Sequence, residues 1–409
     1  MLSWHTVQTG SYAVAGWAVA ALGFSIPISN TLDGILLVIA FVAWAISGRF
    51  TELPRIVRRN RLVLLLPGFF VLLAFGMVHG LAPFSERAKH LWKYNDFLFP
   101  LMFIPLFADP NMRERALWAF AGSIGLTLIL SLCVAAGLVP QASWYHGNPA
   151  NAMVFKHHLT QNVLMAFAAF LFAGVAVRQC EPWQRYALGV LAMCAVVDVF
   201  MFVKGRTGQI ILSALIVLWC ERRFGFRGLL VGMVAVSLLV AVSYAASPVF
   251  RNQVEKGATE LERAQVESVA PISSSVGTRV EWYKNTLLLI AAHPAVGVGT
   301  GSFRWAYAEL VTEPTAVKPD HPHNQYLLTA VELGIAGAGV LLVLFLVLWW
   351  TFRQGGGHLL GELGQGIVIV IAVGCLLNSL LVDHTEGLWF AWMVSMALAS
   401  YTPTSLGHS

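Results

Sequence analysis

The sequence is poor in charge. Asp, Glu, Lys and Arg make up only 11% of its 409 residues, against about 25% in a typical soluble domain, which excludes a water-soluble globular fold. Cysteine is scarce too: the five, Cys133, Cys180, Cys194, Cys220 and Cys375, fall in apolar stretches or at their basic ends, so no disulfide framework is implied. The opening residues have no basic run and no small-residue cleavage site, and the first apolar stretch therefore reads as a retained span. No internal repeat and no Gly/Ser-rich or Pro-rich linker divides the chain. A single membrane-embedded domain over 1–409 is the economical reading. The net charge of +5 does not indicate nucleic acid, because basic residues in membrane proteins chiefly set orientation.

Hydrophobic residues, by contrast, make up 57% of the chain. They come in blocks of roughly 20, the length a helix needs to cross about 30 Å of hydrocarbon. The fold class is accordingly all-α: a polytopic helical membrane protein of about twelve spans, near 11 to 28, 31 to 48, 62 to 80, 90 to 107, 114 to 137, 158 to 177, 186 to 203, 207 to 220, 228 to 246, 326 to 352, 365 to 382 and 386 to 402. Arg49, Arg55, Arg58, Arg59 and Arg61 follow span two, Arg113 and Arg115 span four, Arg178 and Arg185 span six, Arg222, Arg223 and Arg227 span eight, and Arg353 span ten. All fall on one side if both termini are cytoplasmic. The long polar segment 247–325, between spans nine and ten, then faces outward; in a bacterium it is a large periplasmic loop with short helices.

Some cations oppose this rule. Arg87, Lys89 and Lys93 follow span three, Lys156 precedes span six beside His157 and His158, and Lys204 and Arg206 lie in the short turn between spans seven and eight. Such residues suit phosphate oxygens; headgroup contact or snorkelling is the alternative, above all for the lysines. Arg206 sits in the tight turn Gly205-Arg206-Thr207-Gly208 at the mouth of two helices. Arg279 follows Ser273 to Thr278, which reads as a helix start whose free N–H groups favour an anion. A cation in a first turn opposes the helix dipole, so either a bound anion or a salt bridge to Glu281 or Glu309 is expected.

The run Val296-Gly297-Val298-Gly299-Thr300-Gly301 has no preceding strand and no Gly-Lys-Ser/Thr, so it meets neither nucleotide fingerprint and reads as a tight connection between two surface helices. His321 and His323 lie in Asp320-His321-Pro322-His323-Asn324, just before span ten, and Asp383, His384 and Glu386 precede span twelve. No standard ligand spacing is met and no metal is implied. The histidines either cap span ten or act in acid–base chemistry, for which imidazole suits neutral pH and nearby arginines keep it uncharged. Asp198, in mid-span, reads as a buried structural hydrogen bond. The constellation suits transfer from a phosphate-linked lipid: arginines bind a diphosphate and stabilise it as leaving group, while histidine takes a proton from an acceptor hydroxyl.

His323-Asn324, nine residues, then Gly334-Ile335-Ala336-Gly337 resembles the pattern of the O-antigen ligases. Gly205-Arg206-Thr207-Gly208 and Gly277-Thr278-Arg279 resemble the arginine motifs of the wider group, which includes O-antigen polymerases and O-oligosaccharyltransferases, and Pro294 with Val296 to Gly299 resembles its loop signature. Ala338 departs from the ligase pattern, which often has threonine there. The resemblance implies a GT-C-like fold in the bacterial inner membrane and a metal-independent, cofactor-free, inverting transfer at the periplasmic face. The implied donor is undecaprenyl-diphosphate-linked O-antigen and the implied acceptor lipid A-core. On that likeness His323 is the base and Arg206 and Arg279 bind the donor diphosphate; Arg87, Lys89, Lys93, His321 and Asn324 are further candidates for phosphate or acceptor contacts. A polymerase, a protein O-oligosaccharyltransferase, or a transporter of a lipid-linked anionic glycan is the alternative.

Overall fold

Inside hydrocarbon, backbone polar groups must pair within their own segment, and apolar runs of this length therefore become helices. The computed structural model describes residues 4–140, 147–266, 275–313, 316–354 and 358–401. Among these residues there are seventeen α-helices and no extended strand. The first seven are α1 (Trp4–Ser25), α2 (Asn30–Ser47), α3 (Leu53–Arg59), α4 (Leu65–Val78), α5 (Phe84–Trp92), α6 (Pro100–Leu106) and α7 (Pro110–Ala135). Next come α8 (His158–Ala176), α9 (Pro182–Val197, continued by a π turn over Asp198–Phe202), α10 (Arg206–Phe224) and α11 (Phe226–Ala246). The polar segment holds α12 (Pro248–Val266), α13 (Ser275–Ala292) and α14 (Phe303–Leu310), and α15 (Gln325–Gln354), α16 (Leu359–Leu377) and α17 (His384–Ala399) close the chain.

Eight of the described helical segments are long and apolar enough to cross a membrane. The other four expected spans are helical too, each with a visible reason for falling short. α1 carries Gln8, Thr9 and Ser11, α10 ends in Glu221-Arg222-Arg223, and α17 is only 16 residues long. The stretch 90 to 107 is not one helix: α5 ends at Trp92, a 3-10 turn follows over Asn95–Leu98, and α6 runs only from Pro100 to Leu106. Pro100 opens α6, where its missing N–H costs nothing, and Pro105 sits near its end. Span eleven also ends early, because Asn378 leaves α16 with extended backbone.

The innermost helices are α8 and α17, buried along nearly their whole length. At their contact with α7, Trp389 stacks on Phe120 and meets Phe167 edge-on, with centroids 5.9 and 5.0 Å apart. Lipid tails are as apolar as leucine, so helix packing here relies on close van der Waals fit and buried hydrogen bonds. Trp392 supplies one, donating from Nε1 to the carbonyl of Val19 at 2.9 Å. Asp198 supplies another: its Oδ1 accepts from the Ser131 hydroxyl at 2.6 Å.

The two ends of the bundle differ in charge. One gathers the loop arginines with internal partners: Arg178 and Arg223 converge on Glu362 at 2.6 and 3.2 Å, and Arg353 pairs with Glu221 at 2.7 Å. Arg49 lies over the Tyr12 ring and Arg115 over Trp17 at that same end. The opposite end carries α12 to α14, the starts of α8, α10 and α15, and the end of α16.

Candidate functional site

The site is assembled from three segments: α13, the loop before α15, and the end of α16. The last carbonyls of a helix have no partner within it. Near the end of α16, side chains of the other two segments supply them. Arg279 Nη1 donates to the Leu377 carbonyl at 3.3 Å and Asn324 Nδ2 to that of Leu376 at 3.1 Å; one turn further back, the Tyr326 hydroxyl of α15 donates to the Ala372 carbonyl at 2.8 Å. The Tyr283 hydroxyl lies 3.5 Å from the Leu376 carbonyl and 3.2 Å from that of His323.

These contacts answer the question of what compensates Arg279. The residue is the fifth of α13 rather than in its first turn, and its guanidinium faces the negative end of another helix, where a cation is favoured. Among the described residues it makes no ion pair, with Glu281 and Glu309 included. Of the serine lead before it, Ser273 and Ser274 lie outside the described residues.

His323 is the centre of the arrangement. Its φ of 53° is in the left-handed region, a conformation that costs a non-glycine residue about 1 kcal/mol or more and persists only where the surroundings enforce it. Here they do. Its N–H donates to Nδ1 of His321 at 3.3 Å, its carbonyl accepts from Tyr283, and its ring lies flat on Trp282 with centroids 5.3 Å apart and planes at 15°. Ring atom Nδ1 is 2.9 Å from Oδ1 of Asn378, a contact in which an Nδ1–H would donate and leave the lone pair on Nε2. No described residue bonds Nε2. Burial holds the imidazole below its usual pKa against an upward pull from the Asn378 contact, and the Arg279 charge adds a smaller downward push.

The companion histidine is placed differently. His321 spends Nδ1 as acceptor within the turn, and burial, His323 and Lys93 push its pKa down to about 4. Asn324 is the N-cap of α15, its Oδ1 accepting from Leu327 N–H at 3.0 Å.

The remaining candidates separate. Lys93 reaches the site, as an electrostatic neighbour of both His321 and Asp383. Lys89 instead pairs with Glu86 at 2.9 Å on an exposed face. Arg87 caps α4, bonding the carbonyls of Met77 and Val78. Arg206 opens α10 at the same end of the bundle, exposed, with Nη2 donating to the Gln253 carbonyl of α12 at 2.9 Å. The glycines around it have a steric reason: a β-carbon at Gly208 would collide with Asn162 of α8, whose Nδ2 bonds the Val203 and Gly205 carbonyls. Arg206 also stands at the mouth of a mostly apolar groove of about 300 Å³, lined by Ile210, Val240 and Val254, which are exposed on the flank of the bundle.

The glycine-rich run is a clasp, as its reading as a helix connection required. Gly334 breaks α15 with φ 73° and ψ 179°. The break frees the Val331 and Glu332 carbonyls, which accept from Val298 and Gly299 N–H at 2.8 and 3.0 Å. Glu332 adds a carboxylate that accepts from Gly301 N–H at 2.9 Å and stands 3.2 Å from His90. A β-carbon at Gly334 would strike the Ala295 carbonyl. The first glycine of the Gly-x-x-Gly pattern thus docks the glycine loop on α15.

Trp282, Tyr283, Tyr326 and Asn378 escaped sequence reasoning. Trp282 and Tyr283 carried a signal, standing three and four residues after Arg279 and so on its helix face. Asn378 was a polar residue inside an apolar run. Among the described residues no group of three or more His, Cys, Asp or Glu side chains is arranged to hold a metal ion.

Residues 192–342 match a family model described as O-antigen ligase. The matched stretch holds Arg206, Arg279, His321, His323, Asn324 and Gly334. No curated protein matches the chain. Among solved structures, a chain from "Structural coordination of polymerization and crosslinking by a peptidoglycan synthase complex" is similar with TM-score 0.45 at 16% identity, covering 83% of this chain and 95% of that one.

Proposed function

We infer that this chain is an O-antigen ligase: it transfers O-antigen from undecaprenyl diphosphate to a sugar hydroxyl of lipid A-core at the periplasmic face of the bacterial inner membrane. The observation that carries the reading is the state of His323, whose Nδ1 is tied to Asn378 while Nε2 has no partner among the described residues and Arg279 stands close enough to depress its pKa. A neutral imidazole with a free lone pair beside a cation is what base-assisted displacement of an anionic leaving group requires.

In the proposed step the acceptor hydroxyl attacks the anomeric carbon of the donor sugar and gives its proton to Nε2. The new C–O bond forms on the face opposite the breaking bond to diphosphate, so the anomeric configuration inverts. Arg279 and Arg206 bind the diphosphate and take up the charge that grows on it, each charge-assisted hydrogen bond contributing about 1.5–3 kcal/mol. The apolar groove beside Arg206 supports a donor with a hydrocarbon chain. Lys93 is the best placed of the other cations for a phosphate of donor or acceptor. Arg87 and Lys89, engaged elsewhere, are weaker choices.

The test is transfer by purified protein from undecaprenyl-diphosphate glycan to lipid A-core, with and without chelator, and donor binding by Arg206→Ala and Arg279→Ala. Label on the core with chelator present, and weakened donor binding in both variants, is the expected result. Glycan extension or transfer to a protein instead of the core would make it a polymerase or an O-oligosaccharyltransferase. Movement of intact donor without transfer would make it a transporter, and unchanged binding in both variants would remove the arginine clamp.

A further inference from the structure

We propose that Asn378 is a positioning residue for His323: its side-chain carbonyl fixes the ring in the tautomer that leaves Nε2 as the proton acceptor, and its lack of charge keeps Arg279 free for an anion. The proposal rests on the reading of His323 as the base.

Three observations carry it. First, Oδ1 of Asn378 lies 2.9 Å from Nδ1 of His323. A neutral imidazole has one N–H and one lone pair, and the bond made by one nitrogen decides which is which. Second, Asn378 is itself fixed: it is 7% exposed, and its N–H bonds the Gly374 carbonyl at 2.9 Å as the chain leaves α16. The α16 end that carries it is held by Arg279, Asn324 and Tyr326. Third, no other hydrogen bond reaches a ring nitrogen among the described residues: Trp282 stacks on the face and the His321 ring packs at 61° to it, centroids 4.5 Å apart, neither selecting a tautomer. Without Asn378 the ring is free to flip within that stack and present Nδ1 in place of Nε2.

The choice of amide over carboxylate follows from the neighbour. Arg279 donates to the carbonyl of Leu377, the residue next to Asn378. A carboxylate at 378 would stand beside that guanidinium and compete with a diphosphate for it. It would also favour the imidazolium, a poor base. The charged or titratable groups facing the ring are Arg279 and Tyr283 from α13 and His321 from its own loop, with Lys93, Asp320 and His90 around His321.

The test uses full-length protein in nanodiscs with 15N-labelled histidine, the His323 signals being assigned by their loss in His323→Gln. Wild type is expected to carry its proton on Nδ1, and Asn378→Leu to lose that preference. In transfer assays Asn378→Leu is expected to lower kcat by roughly 10–100-fold, the scale seen when a histidine's orienting partner is lost, with little change in KM for donor. Asn378→Asp is expected to recover part of kcat, raise donor KM, and move the acid limb of the pH profile to higher pH. A role in folding alone would move neither the tautomer nor that limb. A proton on Nε2 in wild type, which an amide turned end for end would give, overturns the proposal, as does an unchanged tautomer in Asn378→Leu. Full activity of His323→Ala would instead sink the base reading, and the 15N result is independent of it.

Discussion

At the residue scale, His323 combines backbone strain with a half-buried ring and an in-plane contact from Nδ1 to Asn378. The sequence made it a candidate through position, just before an apolar run and eleven residues ahead of Gly334. It did not separate His323 from His321. The structure distinguishes them by what each Nδ1 meets: that of His321 accepts from the turn, whereas that of His323 faces Oδ1 of Asn378. That partner stands 55 positions away on another helix, out of reach of any local pattern. The electrostatics give a pH prediction. A base must be neutral to accept a proton, and both burial and Arg279 lower the pKa of His323. The acid limb of kcat/KM for wild type is therefore expected below the usual histidine pKa of about 6.5. Arg279→Gln removes one of the two depressing causes, so its acid limb is expected at higher pH than that of wild type. Coincident limbs would show that Arg279 does not act on the base.

At the element scale, apolar length located every span-forming helix because hydrocarbon leaves the backbone no alternative. What it missed were interruptions. Pro100 and Pro105 were in plain view inside 90 to 107, yet a count of apolar residues reads through them. The kink at Gly334 was harder to foresee, since glycine is tolerated in membrane helices and only a positive φ reveals the break. That kink joins α15 to the glycine loop. Gly334→Ala meets the Ala295 carbonyl in a backbone conformation that L side chains avoid, and is expected to lose about 1–3 kcal/mol of stability. Hydrogen exchange should rise at Val298 and Gly299, whose N–H groups bond the freed carbonyls. Exchange unchanged there, with a wild-type melting temperature, would mean that the clasp is not held by the kink. Arg87 belongs at this scale as well, because it caps α4.

At the scale of the whole molecule, the separation of charge was legible in the loops, and the structure gathers the loop arginines with their acidic partners at one end and the His323 cluster at the other. The proposed topology, drawn from the positive-inside rule, turns the His323 end outward. In a cysteine-free background, Lys204→Cys is expected to react with an impermeant maleimide from the periplasmic side, and Arg58→Cys only after the inner membrane is opened; the reverse pattern would invert the proposed topology. Less legible was how the site is divided: α13 brings Arg279 and Trp282, the loop before α15 brings His323, and α16 brings Asn378. Sequence-remote parts meet only through packing. The central claim is that His323 at this junction takes the acceptor's proton, and the direct measurement is glycan transfer in proteoliposomes by His323→Ala at matched protein level with donor binding read in parallel. Donor binding close to wild type with transfer reduced by roughly 10²–10⁴-fold is the predicted result, and transfer at the wild-type rate would contradict it.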